Sequence, residues 1–147
     1  MLRRIISGGQ TGADRAALDA ALEKQFPIGG SCPEGRMAED GPIDPRYPLH
    51  EISGGYRART KRNVEDADGT AIFYQRYPGG GTEQTLAVCI ELGRPYKLID
   101  IDMVSVEVAI SKLQTFIGDY DVQVLNVAGP RTSDCPAIYD FVRLVIT

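Results

Sequence analysis

Residues 7–14 read SGGQTGAD, and they join the apolar segment RRIIS (3–7) to the segment RAALDAALEK (15–24). A short run of β-branched residues favours a strand. The closely spaced alanines and leucines that follow favour a helix packed firmly on a sheet. A turn between the two needs one glycine at most, whereas this stretch has three in five positions. We infer that the backbone approaches another group closely here.

The same order of strand, loop and helix recurs along the chain. Further strands are predicted in PIGGS (27–31), LHEIS (49–53), GTAIFYQ (69–75), YKLIDI (96–101) and VQVLNVAG (122–129). Further helices are predicted over 56–67, 83–93, 104–117 and 137–146. Strands that alternate with helices of this length predict a mostly parallel sheet covered on both faces. The predicted fold is α/β, with one doubly wound Rossmann-like domain over residues 1–147.

Composition restricts the function classes. The formal net charge is −4, with 16 basic and 20 acidic residues, so no general attraction to nucleic acid or to an anionic membrane is expected. No stretch approaches the ~20 apolar residues of a membrane span. The three cysteines show no CxxC spacing, which favours reduced, buried thiols over a disulfide framework or a zinc site. These features predict a cytoplasmic protein.

Three junctions between a predicted strand and the following helix are candidate ligand sites, because parallel sheets bind ligands beyond the carboxyl ends of their strands. They read SGGQTGADR (7–15), YPGGGTEQT (77–85) and VAGPRTSD (127–134). Each follows a predicted strand and combines glycine with polar or cationic residues. We therefore expect the ligand site at these junctions.

The first junction has the features of an anion site at a helix N-terminus. Thr11 and Asp14 have the spacing of a capping box, which places the helix start near residue 12. Arg15 adds positive charge. The segment lacks the GK[ST] of a phosphate-binding P-loop, and Ser7 stands where G-x-G-x-x-G requires its first glycine. The alternative is a tight turn with its cap and no ligand.

The second and third junctions strengthen the ligand interpretation. Three consecutive glycines, Gly79 to Gly81, precede a helix that Thr82 is predicted to cap. Gly129 and Pro130 precede Arg131, whose guanidinium suits bidentate contact with phosphate. Together the junctions predict a ligand with a phosphate, pyrophosphate or similar oxyanion, next to a flat ring system.

Two further segments contribute candidate residues. Arg59 and Asn63 are i,i+4 neighbours on a polar helix and are predicted to orient the ligand. The 17-residue connection 32–48 has four prolines and two glycines, and connections of this length are often functional. Its charged residues form either a lid or ion pairs within the loop. The predicted ligand-binding residues are Ser7, Gly8, Gly9, Gln10, Thr11, Gly12, Asp14, Arg15, Arg36, Arg59, Asn63, Gly79, Gly80, Gly81, Thr82, Gly129, Pro130 and Arg131.

Several of these segments resemble one known family. SGGQTGADRAALDAAL, CPEGRMAEDGPI, RNVEDADGT with GGGT, and LNVAGPR together are similar to the family of molybdenum cofactor carriers, a circularly permuted branch of the Rossmann-like SLOG superfamily. The resemblance spans residues 5 to about 145. It implies a nucleotide-derived ligand or a pterin-type molybdenum cofactor, held at the glycine loops, and a homodimer.

The wider superfamily includes phosphoribohydrolases with a motif similar to P-G-G-x-G-T-x-x-E. The position that matches their catalytic glutamate is Thr85, and Glu83 lies two residues too early. Two residues turn a helical side chain by roughly 200°, so Glu83 is not expected to replace that glutamate.

Two functions follow. The first is a binding or carrier protein for a small phosphate-bearing, nucleotide-like ligand, with the molybdenum cofactor named by resemblance. The alternative is a hydrolase that acts on a glycosidic or phosphate ester bond of a nucleotide. In that case carboxylates near the loops, Asp14, Glu39, Asp40 and Glu83, are candidates for acid, base or Mg²⁺ ligand. No catalytic residue is assigned, and no site for a metal bound by protein side chains alone is predicted.

Overall fold

Nine strands and five helices make up the fold, and the computed structural model describes all residues from 1 to 147. The strands are β1 (Arg4–Ile6), β2 (Ile28–Gly29), β3 (Ser31–Pro33), β4 (Met37–Ala38), β5 (Gly41–Pro42), β6 (His50–Ile52), β7 (Gly69–Tyr74), β8 (Tyr96–Asp100) and β9 (Val124–Ala128). The helices are α1 (Ala13–Glu23), α2 (Gly55–Asp66), α3 (Gly80–Leu92), α4 (Val106–Asp119) and α5 (Ile138–Ile146).

Five strands form one sheet in the order β2-β1-β9-β7-β8, and every neighbouring pair is parallel. From β1 the chain moves to β2 at one edge, and from β7 it moves to β8 at the other. Strand β9 then returns between β1 and β7. The predicted α/β fold with a doubly wound, mostly parallel sheet is confirmed. The reversal of direction places the carboxyl ends of β1, β9 and β7 side by side.

Helices cover both faces of this sheet. Helices α1, α4 and α5 share the largest apolar cluster, which includes Ala16, Ala17, Phe73 and Val142. The alanines of α1 have small side chains, so α1 packs closely against its neighbours. On the opposite face, α2 and α3 enclose a smaller cluster around Ile72. Two covered faces explain why strand β7 is apolar along almost its whole length.

The long connection between β2 and α2 has a structure of its own. Strand β3 pairs with β6 outside the main sheet, and β4 with β5 forms an antiparallel hairpin. A cluster of buried side chains that includes Ile43, Tyr47 and Leu49 packs against Leu18 of α1. Arg36 donates hydrogen bonds to four backbone carbonyls of the same segment. These bonds hold the loop together, and ligand contact by Arg36 stays a prediction.

The helix starts differ from the predicted caps. Gly12 is the N-cap of α1 and Gly79 is the N-cap of α3, and neither helix receives a side-chain cap. Thr82 is buried in the first turn of α3, three residues after the cap position. The predicted capping by Thr11 and by Thr82 is wrong because glycines with suitable backbone conformations begin both helices.

All three cysteines are free and buried, as predicted. None of the five helices combines the length and the apolar composition that crossing a membrane requires.

Gly12 provides a test of how closely the β1–α1 and β9–α5 loops approach. Its φ is +82°, and a Cβ built on it would lie 2.3 Å from the carbonyl oxygen of Pro130. We expect Gly12→Ala to lower the free energy of unfolding by about 2–4 kcal/mol, because backbone strain and a clash with backbone add. Chemical denaturation measures this change.

The matched control is Gly118→Ala in α4, where a Cβ would meet open space. This variant should be neutral or up to about 1 kcal/mol more stable, because alanine favours a helix over glycine. Equal stability of the two variants would contradict the close approach at Gly12.

Candidate functional site

A cleft of about 960 Å³ opens at the carboxyl ends of the central strands. The β1–α1, β7–α3 and β9–α5 loops line it, together with residues of α2. These loops contain the three junctions that the sequence singles out. They meet at one rim because β9 lies between β1 and β7 in the sheet.

The predicted ligand-binding residues divide into two groups. Twelve line the cleft, namely Gly8, Gln10, Asp14, Arg59, Asn63, Gly79, Gly80, Gly81, Thr82, Gly129, Pro130 and Arg131. The other six lie outside its lining, namely Ser7, Gly9, Thr11, Gly12, Arg15 and Arg36. Ligand binding by the first group stays a prediction, whereas the second group has identifiable contacts within the protein.

Arg59 of α2 lies across the backbone of Gly8 at the end of β1. A Cβ built on Gly8 would be 1.8 Å from Nη1 of Arg59, so any larger residue at position 8 would displace the guanidinium. The side chain of Arg59 is 14% exposed, and its buried Nε has no hydrogen-bond partner. A buried N–H group without an acceptor is energetically costly. Arg59 therefore has an unused donor at the cleft.

Asp14 is the buried carboxylate of this cleft. Its Oδ2 lies 3.5 Å from Nη1 of Arg59 and accepts a hydrogen bond from the backbone N–H of Gln10 at 3.3 Å. Burial raises the pKa of Asp14 to about 6, although Arg59 and the backbone N–H group oppose that rise. The carboxylate and the guanidinium thus form one buried pair whose protonation changes near neutral pH.

The start of α3 supplies backbone donors. Gly79 is its N-cap, and no side chain bonds the first N–H groups of the helix. A Cβ on Gly80 or Gly81 would meet no atom within 4 Å, so these two glycines border open space. An uncapped helix N-terminus carries a partial positive charge and attracts anions. This second junction therefore keeps the geometry that the sequence predicts for an oxyanion site.

Arg131 lies at the rim of the cleft and is half exposed. Its Nε is 3.1 Å from a carboxylate oxygen of Asp134 and 3.9 Å from one of Glu39. Hydrogen bonds from the side chains of Ser133 and Thr11, and from the backbone N–H of Ser133, hold the pKa of Glu39 below its usual value. Two carboxylates thus hold Arg131 in place, and a phosphate would compete with them for its guanidinium.

In the first junction, close backbone approach is confirmed, but part of it serves the protein itself. A Cβ on Gly9, where φ is +77°, would lie 2.4 Å from Cδ1 of Leu49. Gly12 makes room for the backbone of Pro130 in the same way. Ser7 is fully buried, and its hydroxyl donates to the carbonyl of Asp14 at 2.9 Å. At these three positions the observed contacts are with Leu49, Pro130 and Asp14, and ligand binding there stays a prediction.

Thr11 and Arg15 face away from the cleft. The hydroxyl of Thr11 donates to Glu39 and accepts a hydrogen bond from the backbone of Thr132. Arg15 donates to the carbonyl of Gly9 through Nε and Nη2, and its Nη1 is 3.0 Å from Asp40. Ion pairing, one of the two roles considered for the charged residues of the 32–48 connection, is therefore observed for Asp40.

Asn63 lines the cleft, but its carboxamide is occupied. Its Oδ1 accepts from the backbone N–H of Ser31 at 2.8 Å, and its Nδ2 donates to the carbonyl of Ser31 at 3.0 Å. The side chain thus makes the hydrogen bonds to the backbone of β3 that a neighbouring strand would otherwise make. The predicted role of Asn63 in orienting a ligand is not supported by this geometry.

Other residues of the cleft escaped sequence reasoning, among them Tyr56, Tyr77, Gln84, Asn126 and Cys135. Asn126 had a recognisable signal, because it is a polar residue near the carboxyl end of an otherwise apolar strand. Its Nδ2 lies 3.4 Å from the hydroxyl oxygen of Thr70 on the neighbouring strand. The tyrosines had no such signal, since an exposed ring and a core ring look alike in sequence.

Thr85 and Glu83 occupy the positions that the sequence comparison raised. Thr85 lines the cleft, and its hydroxyl donates to the carbonyl of Gly81 at 3.2 Å. Glu83 is exposed and does not line the cleft, while Gln84 does. The expectation that Glu83 lies away from the position that matches the catalytic glutamate of the phosphoribohydrolases is confirmed.

No group of three or more His, Cys, Asp or Glu side chains is placed to hold a metal ion. Asp14 contacts Arg59, Asp40 pairs with Arg15, and Glu39 bonds to Ser133 and lies near Arg131. A Mg²⁺ ion here would need phosphate oxygens of a ligand for most of its coordination. Its presence stays a prediction.

Comparisons with known proteins agree on the family. The sequence profile of the "Circularly permutated YpsA SLOG family" matches residues 5–147. The structure is similar to the crystal structure of a protein named "Putative molybdenum carrier protein", from Syntrophus aciditrophicus SB, with a TM-score of 0.96 and 40% sequence identity. That match covers 99% of this chain and 92% of the other. No curated protein matches this chain.

The pairing of Asp14 with Arg59 predicts how Asp14 titrates. A carboxyl ¹³C NMR titration should give a midpoint near pH 6, and Arg59→Met should move it higher, because the guanidinium favours the ionised carboxylate. Arg57→Met is the control, since Arg57 is exposed on the same helix. A midpoint unchanged by Arg59→Met would contradict the ion pair.

The same pKa sets the sign of a stability change. Because the folded-state pKa lies above the ordinary value of 3.8, Asp14 contributes stability that is fully present below about pH 4 and is lost as pH rises through 6. A shift of about two units corresponds to ~3 kcal/mol.

Proposed function

This chain belongs to the circularly permutated YpsA SLOG family, and from that premise we propose that it binds or carries a small phosphate-bearing ligand in the cleft. The ligand is nucleotide-like, either a nucleotide or the molybdenum cofactor. The observation that carries the proposal is that Arg59 lines the cleft while its buried Nε has no hydrogen-bond partner in the protein. An acceptor oxygen of a ligand would satisfy this donor.

The start of α3, which also lines the cleft, supports the same ligand chemistry. The uncapped start of α3 presents backbone N–H groups beside Gly80 and Gly81, where no Cβ atom obstructs an approach. Guanidinium groups and helix N-termini both favour phosphate oxygens. A ligand with one phosphate or two would thus find donors on both walls of the cleft.

The name of the similar protein suggests the molybdenum cofactor. The residues of this cleft fit the organic and phosphate parts of such a cofactor better than its metal. Cys135 is the cysteine that lines the cleft, its thiol donates to Oε1 of Gln75 at 3.3 Å, and burial raises its pKa. With no metal-binding cluster nearby, the protein would hold this cofactor through its phosphate and pterin.

Substitutions of Gly81 test the oxyanion site without disturbing the fold. Gly81 is the second residue of α3 and has no atom near its Cβ position, so Gly81→Asp should fold and even strengthen the helix. Its carboxylate would repel a phosphate, and we expect at least a ~10-fold weaker affinity for pyrophosphate by isothermal titration calorimetry.

Gly81→Ala is the matched control and should keep the affinity within about threefold, because it adds no charge. A similar affinity for both variants would contradict binding at the start of α3. Absence of pyrophosphate and nucleotide binding by the unsubstituted protein would overturn the proposed function as a whole.

One observation favours hydrolysis as a second candidate function. Asp14 lines the cleft with a pKa of about 6, a value suited to a general acid or base near neutral pH. Chromatography of nucleoside monophosphates after incubation would then reveal free base or inorganic phosphate. Asp14→Asn should abolish this turnover, and Glu83→Gln should retain it, because Glu83 lies outside the cleft. Absence of product from the unsubstituted protein would leave binding as the function.

A further inference from the structure

We propose that Tyr56 and Tyr77 form an aromatic subsite that holds the planar heterocycle of the ligand and thereby selects heterocyclic phosphates over sugar phosphates. This inference rests on the proposed function, because it assumes that the phosphate is held in the same cleft. It assigns the ring to two residues that neither the sequence motifs nor the family comparison singles out.

The cleft has a larger volume than a phosphate group alone would fill. Clefts that hold small molecules typically measure 300–1,000 Å³, and this one measures about 960 Å³. A phosphate between Arg59 and the start of α3 would occupy only a small part of it. The remaining space is large enough for an organic group.

Tyr56 adjoins the first anion-binding element. It stands in the first turn of α2 and is 56% exposed, although its ring lines the cleft. The guanidinium carbon of Arg59 lies 5.6 Å from the centre of this ring. A phosphate bound by Arg59 would therefore bring the group attached to it close to the ring of Tyr56.

Tyr77 adjoins the second anion-binding element. It is 73% exposed and lines the cleft next to the N-cap of α3. A Cβ built on Gly79 would lie 3.1 Å from Cε2 of Tyr77, so the ring lies against the backbone where the helix begins. Each of the two tyrosines thus adjoins one of the two groups that attract the phosphate.

The backbone that presents Tyr77 is strained. Arg76 has a φ of +71°, and the N–H of Tyr77 donates to the carbonyl of Gln75 at 2.9 Å, which defines a tight γ-turn. Asp100 at the end of β8 accepts a hydrogen bond from the N–H of Arg76 at 3.1 Å and holds this turn. Strain of this kind costs about 1–3 kcal/mol and concentrates at ligand sites.

Two exposed aromatic faces select a ligand by its ring. An aromatic side chain can stack on any nucleobase, since every base has a π-face. A purine or a pterin has such a face, whereas a ribose or an inorganic phosphate does not. The geometry therefore points to a phosphorylated heterocycle as the ligand class.

The test compares ligands with and without a ring. AMP and 6-hydroxymethylpterin diphosphate carry a heterocycle, while ribose 5-phosphate and pyrophosphate do not. Calorimetry should show at least one ring-bearing probe binding ten times or more tightly than its ring-free counterpart. Tyr56→Ala and Tyr77→Ala should each weaken that probe by about 5- to 100-fold and change the ring-free probes by less than twofold.

The control variant is Tyr120→Ala, because Tyr120 is similarly exposed but lies outside the cleft. It should change no affinity. Tyr77→Trp supplies an independent measurement, because the chain has no tryptophan and the new side chain retains a stacking face. Its fluorescence should be quenched by the ring-bearing probe and not by pyrophosphate.

The outcomes separate the two proposals. Pyrophosphate binding with no advantage for a ring, or equal losses for all probes in the tyrosine variants, would overturn the aromatic subsite and leave the anion site intact. Failure of every probe to bind the unsubstituted protein would overturn both proposals.

Discussion

The cleft depends on one contact, the passage of the Arg59 side chain over the backbone of Gly8. That contact joins α2, which lies on one face of the sheet, to the carboxyl end of β1, which is an inner strand of the sheet. Because Gly8 has no Cβ, the guanidinium reaches Asp14, and because Asp14 is buried, the pair has little access to water. A charge pair removed from water requires partners with good geometry. Here the buried Nε of the guanidinium remains without a partner in the protein, and Arg59 lines the cleft.

A second element completes this arrangement from the other side. Helix α3 begins at glycines, so its first N–H groups are covered neither by a capping side chain nor by Cβ atoms. Arg59 belongs to α2 and this helix start to α3, two helices on the same face of the sheet, and the ends of β1 and β7 that they adjoin lie at one rim because β9 lies between those strands. The aromatic rings of Tyr56 and Tyr77 adjoin these same two groups. Charge and aromatic surface are therefore placed together by the order of the strands.

The long connection illustrates how a segment with several prolines and glycines can have a structural role. Arg36 bonds four carbonyls within it, and Glu39 links its hairpin to the β1–α1 and β9–α5 loops through Thr11 and Ser133. Gln10 strengthens this link, because its side-chain oxygen accepts from the backbone N–H of Glu39 at 2.8 Å. The connection thus supports the loops of the cleft from behind. Its charged residues are used in these contacts and in the pair between Arg15 and Asp40.

The sequence by itself determined the order of the helices and the main-sheet strands, the parallel sheet and the three junctions at its rim, because apolar periodicity and glycine act locally. It also indicated close backbone approach in the first junction. It did not indicate the strands β4 and β5 inside the long connection. Only the tertiary structure decided which atoms approach each glycine. Arg59 lies against Gly8, Leu49 lies against Gly9, and Pro130 lies against Gly12. It likewise decided that the carboxamide of Asn63 serves β3. The physical reason is that each of these outcomes depends on a neighbour distant in the chain, and local spacing carries no information about where that neighbour lies.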